Sequence, residues 1–191
     1  MPGVDLDSLT LRLYPDPVLR ERGRAVDPSD RHVQDVAQRM VEIMRAEHGI
    51  GLAAQQVGLA WRLFVADVPP DPDEPDENAD PASGLVTATH GPLVAINPEI
   101  VEPGRVPTPL EEGCLSLPDI RGDVIRPSEI TLRAHGFDGQ PYELRTAGLL
   151  AKCVQHEFDH VEGTLILDRM TQMSRLKVRS AVRSLEKQAG L

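Results

Sequence analysis

An α+β fold is what this sequence predicts, on three observations. Short β-branched or alternating segments crowd the middle of the chain, between about residues 61 and 146. Stretches with apolar residues at helical spacing occupy both ends. One of the C-terminal stretches carries His156-Glu157-Phe158-Asp159-His160, a pattern with a chemical meaning only on a helix. Strands grouped in the centre with helices outside them give a segregated class rather than alternating strand–helix units. A chain of 191 residues suits one domain, 1–191, and no internal repeat is visible.

After a short N-terminal segment, a helix is predicted over residues 30–48, with Val33, Val36, Ala37, Met40, Ile43 and Met44 on one face. Gly49 is expected to stop it. The block Gly49-Ile50-Gly51-Leu52-Ala53-Ala54 matches the nucleotide fingerprint G-x-G-x-x-A. That fingerprint needs a strand before it and a helix after it. Here a helix precedes, and the strand-like Trp61-Arg62-Leu63-Phe64-Val65-Ala66 follows, so the nucleotide reading is rejected. What remains is an extended glycine-rich segment whose bare backbone can lie against a substrate.

A strand is expected over 61–67. Between Leu63 and Gly104 there is no Lys or Arg, and residues 67–91 are predicted to form an acidic, flexible insertion. A segment so rich in Asp, Glu and Pro buries too little apolar surface to order itself. Further strands are expected near 93–97, 100–102, around Cys114, at 130–135 and at 142–146. The last two join in a hairpin turning at Asp138-Gly139. A helix over about 148–161 stops at Gly163, and a final helix fills 172–188.

On a helix, His156 and His160 lie one turn apart on one face and can converge on one ion. Glu157 then flanks the ion, where it suits a general base acting on metal-bound water. For a third ligand, Cys153 fails on distance. Its seven residues to His160 span about 10.5 Å of helix rise, too far for short side chains to close on one ion. Cys114, in Glu111-Glu112-Gly113-Cys114-Leu115-Ser116, belongs to another segment and can approach from outside. Alone it would read as an inert buried thiol; beside the helix motif it reads as a ligand. A Cys-His-His site leaves one position open, as a catalytic metal requires. The donor types suit Zn, Fe(II), Co or Ni alike. Asp159 is either a partner orienting a ligand or a carboxylate on the helix surface.

The blocks Gly49–Gln56, Glu112–Ser116 and Gln155–His160, in that order, resemble the three signature motifs of the bacterial peptide deformylases. Tyr14-Pro15-Asp16-Pro17-Val18-Leu19, Asn97-Pro98, Arg121-Gly122 with Arg126-Pro127, and Gly148-Leu149-Leu150-Ala151 are similar to the family as well. The resemblance runs from about Leu9 to Met170. It implies a metal-dependent hydrolase that removes the formyl group from N-formylmethionine at the start of new polypeptides, releasing formate. It also implies antiparallel sheets wrapped around a central metal-binding helix, and one divalent ion per chain. Fe(II) is then the native ion, with Zn, Ni or Co able to substitute.

By the family pattern, Cys114, His156 and His160 hold the metal and Glu157 moves the proton. The backbone N–H of Leu115 and the side-chain amide of Gln56 stabilise the oxyanion; outside that motif Gln56 would read as a solvated or capping residue. Gly49, Ile50, Gly51 and Glu112 border the substrate, with Leu149, Lys152 and Cys153 opposite. Lys152 departs from the pattern, since the family commonly has an apolar residue there. Either its stem packs while the ammonium reaches water, or its charge alters preference for the side chain after the formyl group.

Composition bounds the partners. A formal net charge of −10 argues against broad nucleic-acid affinity, DNA included. No apolar run is long enough to span a bilayer, and an N-terminus with Asp5 and Asp7 is not a signal peptide. Two cysteines, one wanted as a thiolate, point to a reducing cytoplasm. A monomer is expected. Against this acidic background, residues from Ser174 onward carry Arg175, Lys177, Arg179, Arg183 and Lys187 against Glu186 alone. This basic amphipathic helix either packs with a solvated face or docks on ribosomal RNA, as the resemblance implies. On the docking reading, removing everything after Thr171 is expected to spare hydrolysis of a short formyl-peptide.

Two other classes share parts of this pattern. Against a metallopeptidase of the same helix motif stand the Cys ligand arriving from upstream and the lack, in this sequence, of a third His or Glu placed downstream in a metzincin-like pattern. A silent metal-binding module has no need of Glu157 or Gln56.

Overall fold

The first helix, α1 (Arg31–Ala46), starts where Asp30 accepts a hydrogen bond from the His32 N–H at 2.9 Å. The computed structural model describes residues 3–70, 84–104 and 106–190. At the C-terminal end of α1, His48 N–H donates to Arg45 O and Gly49 N–H to Met44 O, closing a Schellman motif. His48, at φ 56°, takes the left-handed position expected of Gly49. At Gly49 a Cβ would lie 2.6 Å from Leu115 Cδ1, so a side chain there would have to displace that of Leu115.

Six strands form the main sheet in the order β1-β2-β4-β7-β8-β3. They are β1 (Gly51–Ala53), β2 (Leu63–Ala66), β3 (Leu85–Val86), β4 (Leu93–Pro103), β7 (Glu129–His135) and β8 (Pro141–Ala147). All neighbours are antiparallel except β3 and β8. The strands expected at 93–97 and 100–102 are one strand, β4, with two register shifts. Asn97 sits at the first irregularity with φ 52°, its side chain bonding both the N–H and the carbonyl of Val26. The β7–β8 hairpin turns at Gly139, φ 72°, as expected.

The acidic insertion is ordered at both arms. The Val68 and Thr89 backbones bond at 2.8 Å, the Thr89 hydroxyl accepts from Val68 N–H, and β3 pairs with β8. Its centre, 71–83, lies outside the described residues.

A separate hairpin consists of β5 (Pro107–Cys114) and β6 (Leu117–Pro127). The sequence pointed to a strand around Cys114 but not to β6. The inward positions of β6 include Gly122 and Arg126 as well as Ile120 and Val124, so its alternation is not apolar.

The second helix, α2 (Gly148–Val161), runs between these sheets. Along β2 the side chains alternate: Leu63 and Val65 join the cluster under α1, while Phe64 and Ala66 pack with Leu150, Ala151 and Val154 of α2. A short helix, α3 (Ile166–Arg169), then leads to α4 (Gln172–Gln188). Val178, Ala181, Val182 and Leu185 of α4 cover Leu117, Ile120 and Val124 of β6. No helix among the described residues is long and apolar enough to cross a membrane.

Candidate metal centre

Helix α2 carries His156, Glu157 and His160 inward, all buried, and ends in a second Schellman motif with Gly163 at φ 74°. Strand β5 delivers Cys114 at its last position, where the register with β6 shifts. Cys114 Sγ lies 3.2 Å from His160 Nε2. The donor atoms of Cys114, His156 and His160 all fall within 4.8 Å of one another. An ion with bonds of about 2.0–2.3 Å keeps tetrahedral donors roughly 3.3–3.8 Å apart, so small side-chain shifts suffice for these three residues to hold one metal ion.

Glu112 orients His156. Its Oε2 sits 2.9 Å from His156 Nδ1, and Arg126 donates to Oε1 from Nε at 2.5 Å and to Oε2 from Nη2 at 2.9 Å. Burial alone would raise this carboxyl. Hydrogen bonds from His156 and Arg126 outweigh burial and hold it at about 2. An ionised carboxylate only accepts, so His156 Nδ1 carries the proton and Nε2 keeps its lone pair for a ligand bond. Glu112, expected beside the substrate, lines the cleft and is also held on both oxygens by its neighbours.

Asp159 is not a surface carboxylate. It is buried, receiving Arg126 Nη1 at 2.8 Å on Oδ2 and Arg169 Nη2 at 2.7 Å on Oδ1. Sequence reasoning gave neither arginine a place in the site. The only signal for Arg126 was the Arg126-Pro127 pair, because its partners lie 14 and 33 residues away.

Burial, helped by the negative Glu112, pushes Glu157 up to about 7, with His156 pulling the other way. Its Oε2 is buried and has no hydrogen-bond partner among the described residues. Burial also drives His160 well below the usual histidine range. For His156 burial acts downward too, but contacts with Cys114 and Glu112 win and raise it well above that range. The two histidines are thus driven in opposite directions, His156 by its anionic neighbours and His160 by burial and nearby positive charge.

Gln56 lies in a 3-10 turn, Ala54–Val57. Its Oε1 accepts from Ala53 N–H at 2.8 Å, which turns Nε2 toward Ser116 Oγ at 3.2 Å and Cys114 Sγ at 3.5 Å. The amide therefore points at the thiol side of the site. Leu115, half-buried, follows Cys114 directly and rests its side chain on Gly49. At Gly51 a Cβ would strike the Glu157 carboxylate and lie 2.8 Å from Cys153 Sγ, so only glycine lets the β1 backbone come this close.

The cleft above these groups has a volume of about 840 Å³. Ile50 and Leu149, each 37% exposed, stand on its walls with Lys152 and Cys153. Cys153 Sγ donates to Ile50 O at 3.4 Å, and burial pushes its thiol well above the usual range. It lies outside the donor cluster. Lys152 is half-buried on this wall.

Known proteins place this architecture. Residues 8–176 match the family described as polypeptide deformylase. The peptide deformylase of Opitutus terrae is 40% identical, over 94% of either chain. That of Zymomonas mobilis is 42% identical, over 84% of this chain and 85% of its own. The crystal structure of peptide deformylase from Ehrlichia chaffeensis superimposes with a TM-score of 0.84 at 31% identity, covering 95% of this chain and 96% of that one.

Proposed function

The chain belongs to the peptide deformylase family, metal-dependent hydrolases that remove the N-formyl group from new polypeptides, and we propose that Glu157, Gln56 and Leu115 perform this step beside a metal held by Cys114, His156 and His160. The observation that carries the assignment is Glu157: a buried carboxyl poised near 7, one oxygen unpartnered, next to three converging donors. A divalent ion bound there supplies a Lewis acid that polarises the formyl carbonyl and makes water acidic near neutrality.

Glu157 takes the proton of the attacking water and returns it to the leaving amine. A carboxyl near the working pH serves in both directions. As the formyl carbon becomes tetrahedral, Gln56 Nε2 and the Leu115 N–H face the developing oxyanion; losing one such donor typically costs about 10²–10³ in turnover. Glu112 and Arg126 hold His156 in one tautomer. The Gly49–Gly51 backbone lies along the peptide, and Ile50, Leu149 and Cys153 present the apolar wall for the methionine side chain. Lys152 stands at the same wall, within reach of the following residue.

We take Fe(II) as the native ion because the family resemblance implies it, with Zn, Ni or Co as substitutes that thiolate and imidazole ligands suit equally. Metal analysis of anaerobically prepared protein decides between them. The whole chain acts as one catalytic domain, a cytoplasmic monomer that meets its substrates at the ribosome through the basic face of α4. DNA is not a partner.

Glu157→Ala tests the central claim. It should hold metal at wild-type stoichiometry and lose at least about 10²-fold in kcat on a formyl-Met peptide. Activity within tenfold of wild type would remove Glu157 from the proton path.

A further inference from the structure

The metal ligands arrive on two elements that share no backbone pairing, Cys114 on β5 and both histidines on α2. Something other than the metal must set their separation in the folded chain. We infer that Arg169 is a positioning residue for the metal site, closing a brace through Asp159, Arg126 and Glu112 that fixes β5 against α2.

The path is continuous. Arg126, buried on β6, clamps Glu112 with Nε and Nη2, and Glu112 stands two residues before Cys114 on β5. The third arm of the same guanidinium, Nη1, reaches Asp159 Oδ2 on α2, between the two histidine ligands. One planar fork thereby grips both ligand-bearing elements, a geometry that lysine cannot reproduce.

Asp159 would pivot if held on one edge only. Arg169 takes the other edge: Nη2 lies 2.7 Å from Oδ1, and Nε lies 3.2 and 3.1 Å from the two oxygens. The Asp159 side chain is 7% exposed and that of Arg169 is 53% exposed, so the brace is buried and only its outer clasp meets solvent. Charge closes as well, with two carboxylates against two guanidiniums. Without Arg169, Glu112 and Asp159 compete for one cation in a poorly solvated interior, and Arg126 shifts toward Asp159 as its hold on Glu112 slackens.

The Arg169 backbone is anchored independently of its side chain. Met170, the next residue, bridges to Val124 and fills the space above Gly122, where a Cβ would lie 2.9 Å from its sulfur. Asp159 keeps its bond from Arg126 and the Arg169 guanidinium is half-exposed, so losing this one arm costs the fold little. Loss of the Arg169 side chain should therefore reach the metal more than the fold.

The inference rests on Cys114, His156 and His160 holding the ion, and the test separates the two. Zinc-loaded protein is challenged with excess chelator, and the rate of metal loss is followed alongside Tm. If the wild type binds no stoichiometric zinc, the metal-site assignment itself fails. Arg169→Gln should release zinc about tenfold faster, in line with other residues that orient ligands, with the Tm of the zinc-free protein nearly unchanged. Arg169→Lys, a point charge without the fork, should fall between, and it decides alone should the Gln variant not fold. Arg62→Gln is the control, since it breaks the 2.6 Å pair with Glu162 at the end of the same helix without touching the brace. Wild-type release from Arg169→Gln, or equally fast release from Arg62→Gln, overturns the positioning role.

Discussion

Cys114 and Cys153 are the two thiols of this chain, and their surroundings are opposite. Cys114 Sγ faces His160 Nε2 and the Gln56 amide; Cys153 Sγ faces a backbone carbonyl, and burial keeps it protonated. Cys114→Ser replaces a thiolate by a hydroxyl that stays neutral at pH 7, so it should lose metal outright. Cys153→Ala should keep full metal and at most alter KM, because its sulfur borders the cleft. Metal stoichiometry after desalting checks both, and equal losses would overturn the ligand assignment. This contrast was legible in the sequence because helix rise alone separates Cys153 from His160. The contact of Glu112 with His156 was not. Which way a strand residue faces depends on pairing, and the arginine that commits Glu112 lies across a hairpin whose register nothing in the sequence announces. Arg126 stayed hidden because a charge on an inward position looks like a surface charge until its partners are known, and Arg169 because its partner is a buried carboxylate ten residues away.

At the scale of elements, helices were easier to read than strands. Caps and apolar faces mark α1, α2 and α4 to within two residues, whereas β6 hides behind an inward glycine and arginine. Helix α4 also changes an experiment. The sequence suggested that removing everything after Thr171 would spare hydrolysis, but α4 covers Leu117 and Ile120 just beyond Cys114. It is tied there by Ser174 to Asp123 and by Glu186 to the Tyr14 hydroxyl at 2.8 Å. Truncation would strip the hairpin that carries a ligand, confounding docking with folding. Its outer face is the cleaner handle. Arg179, Arg183 and Lys187 are exposed, and among the described residues none of them forms an ion pair. Reversing all three to Glu should abolish salt-sensitive ribosome binding while kcat/KM on a short formyl-peptide stays within about twofold, since phosphate contacts respond steeply to charge. Ribosome pelleting at two salt concentrations checks it. Binding equal to wild type would leave α4 a purely structural helix.

Across the whole molecule, the metal site joins two parts of unequal strength. The six-stranded sheet is covered by α1 and α2 and holds most of the buried apolar residues. The β5–β6 hairpin has two strands, too few for stability alone, and is held by α4, by the Arg126 brace and by Cys114. A ligand that binds only the folded chain stabilises it by about 2.7 kcal/mol at a hundredfold excess over Kd. For a domain of this size that is roughly 5–11 °C, at about 2–4 °C per kcal/mol. Stripping the metal should therefore lower Tm by that order. The loss should also be local: backbone amides of 107–127 should exchange faster with deuterium, while those of β2 and β4 hold their protection. The weaker partner is the one released, because α2 remains packed against the large sheet whether or not its histidines are ligated. Uniform loss of protection across both sheets would mean that the hairpin and the sheet open as one unit, and that the metal clasps nothing that packing does not already hold.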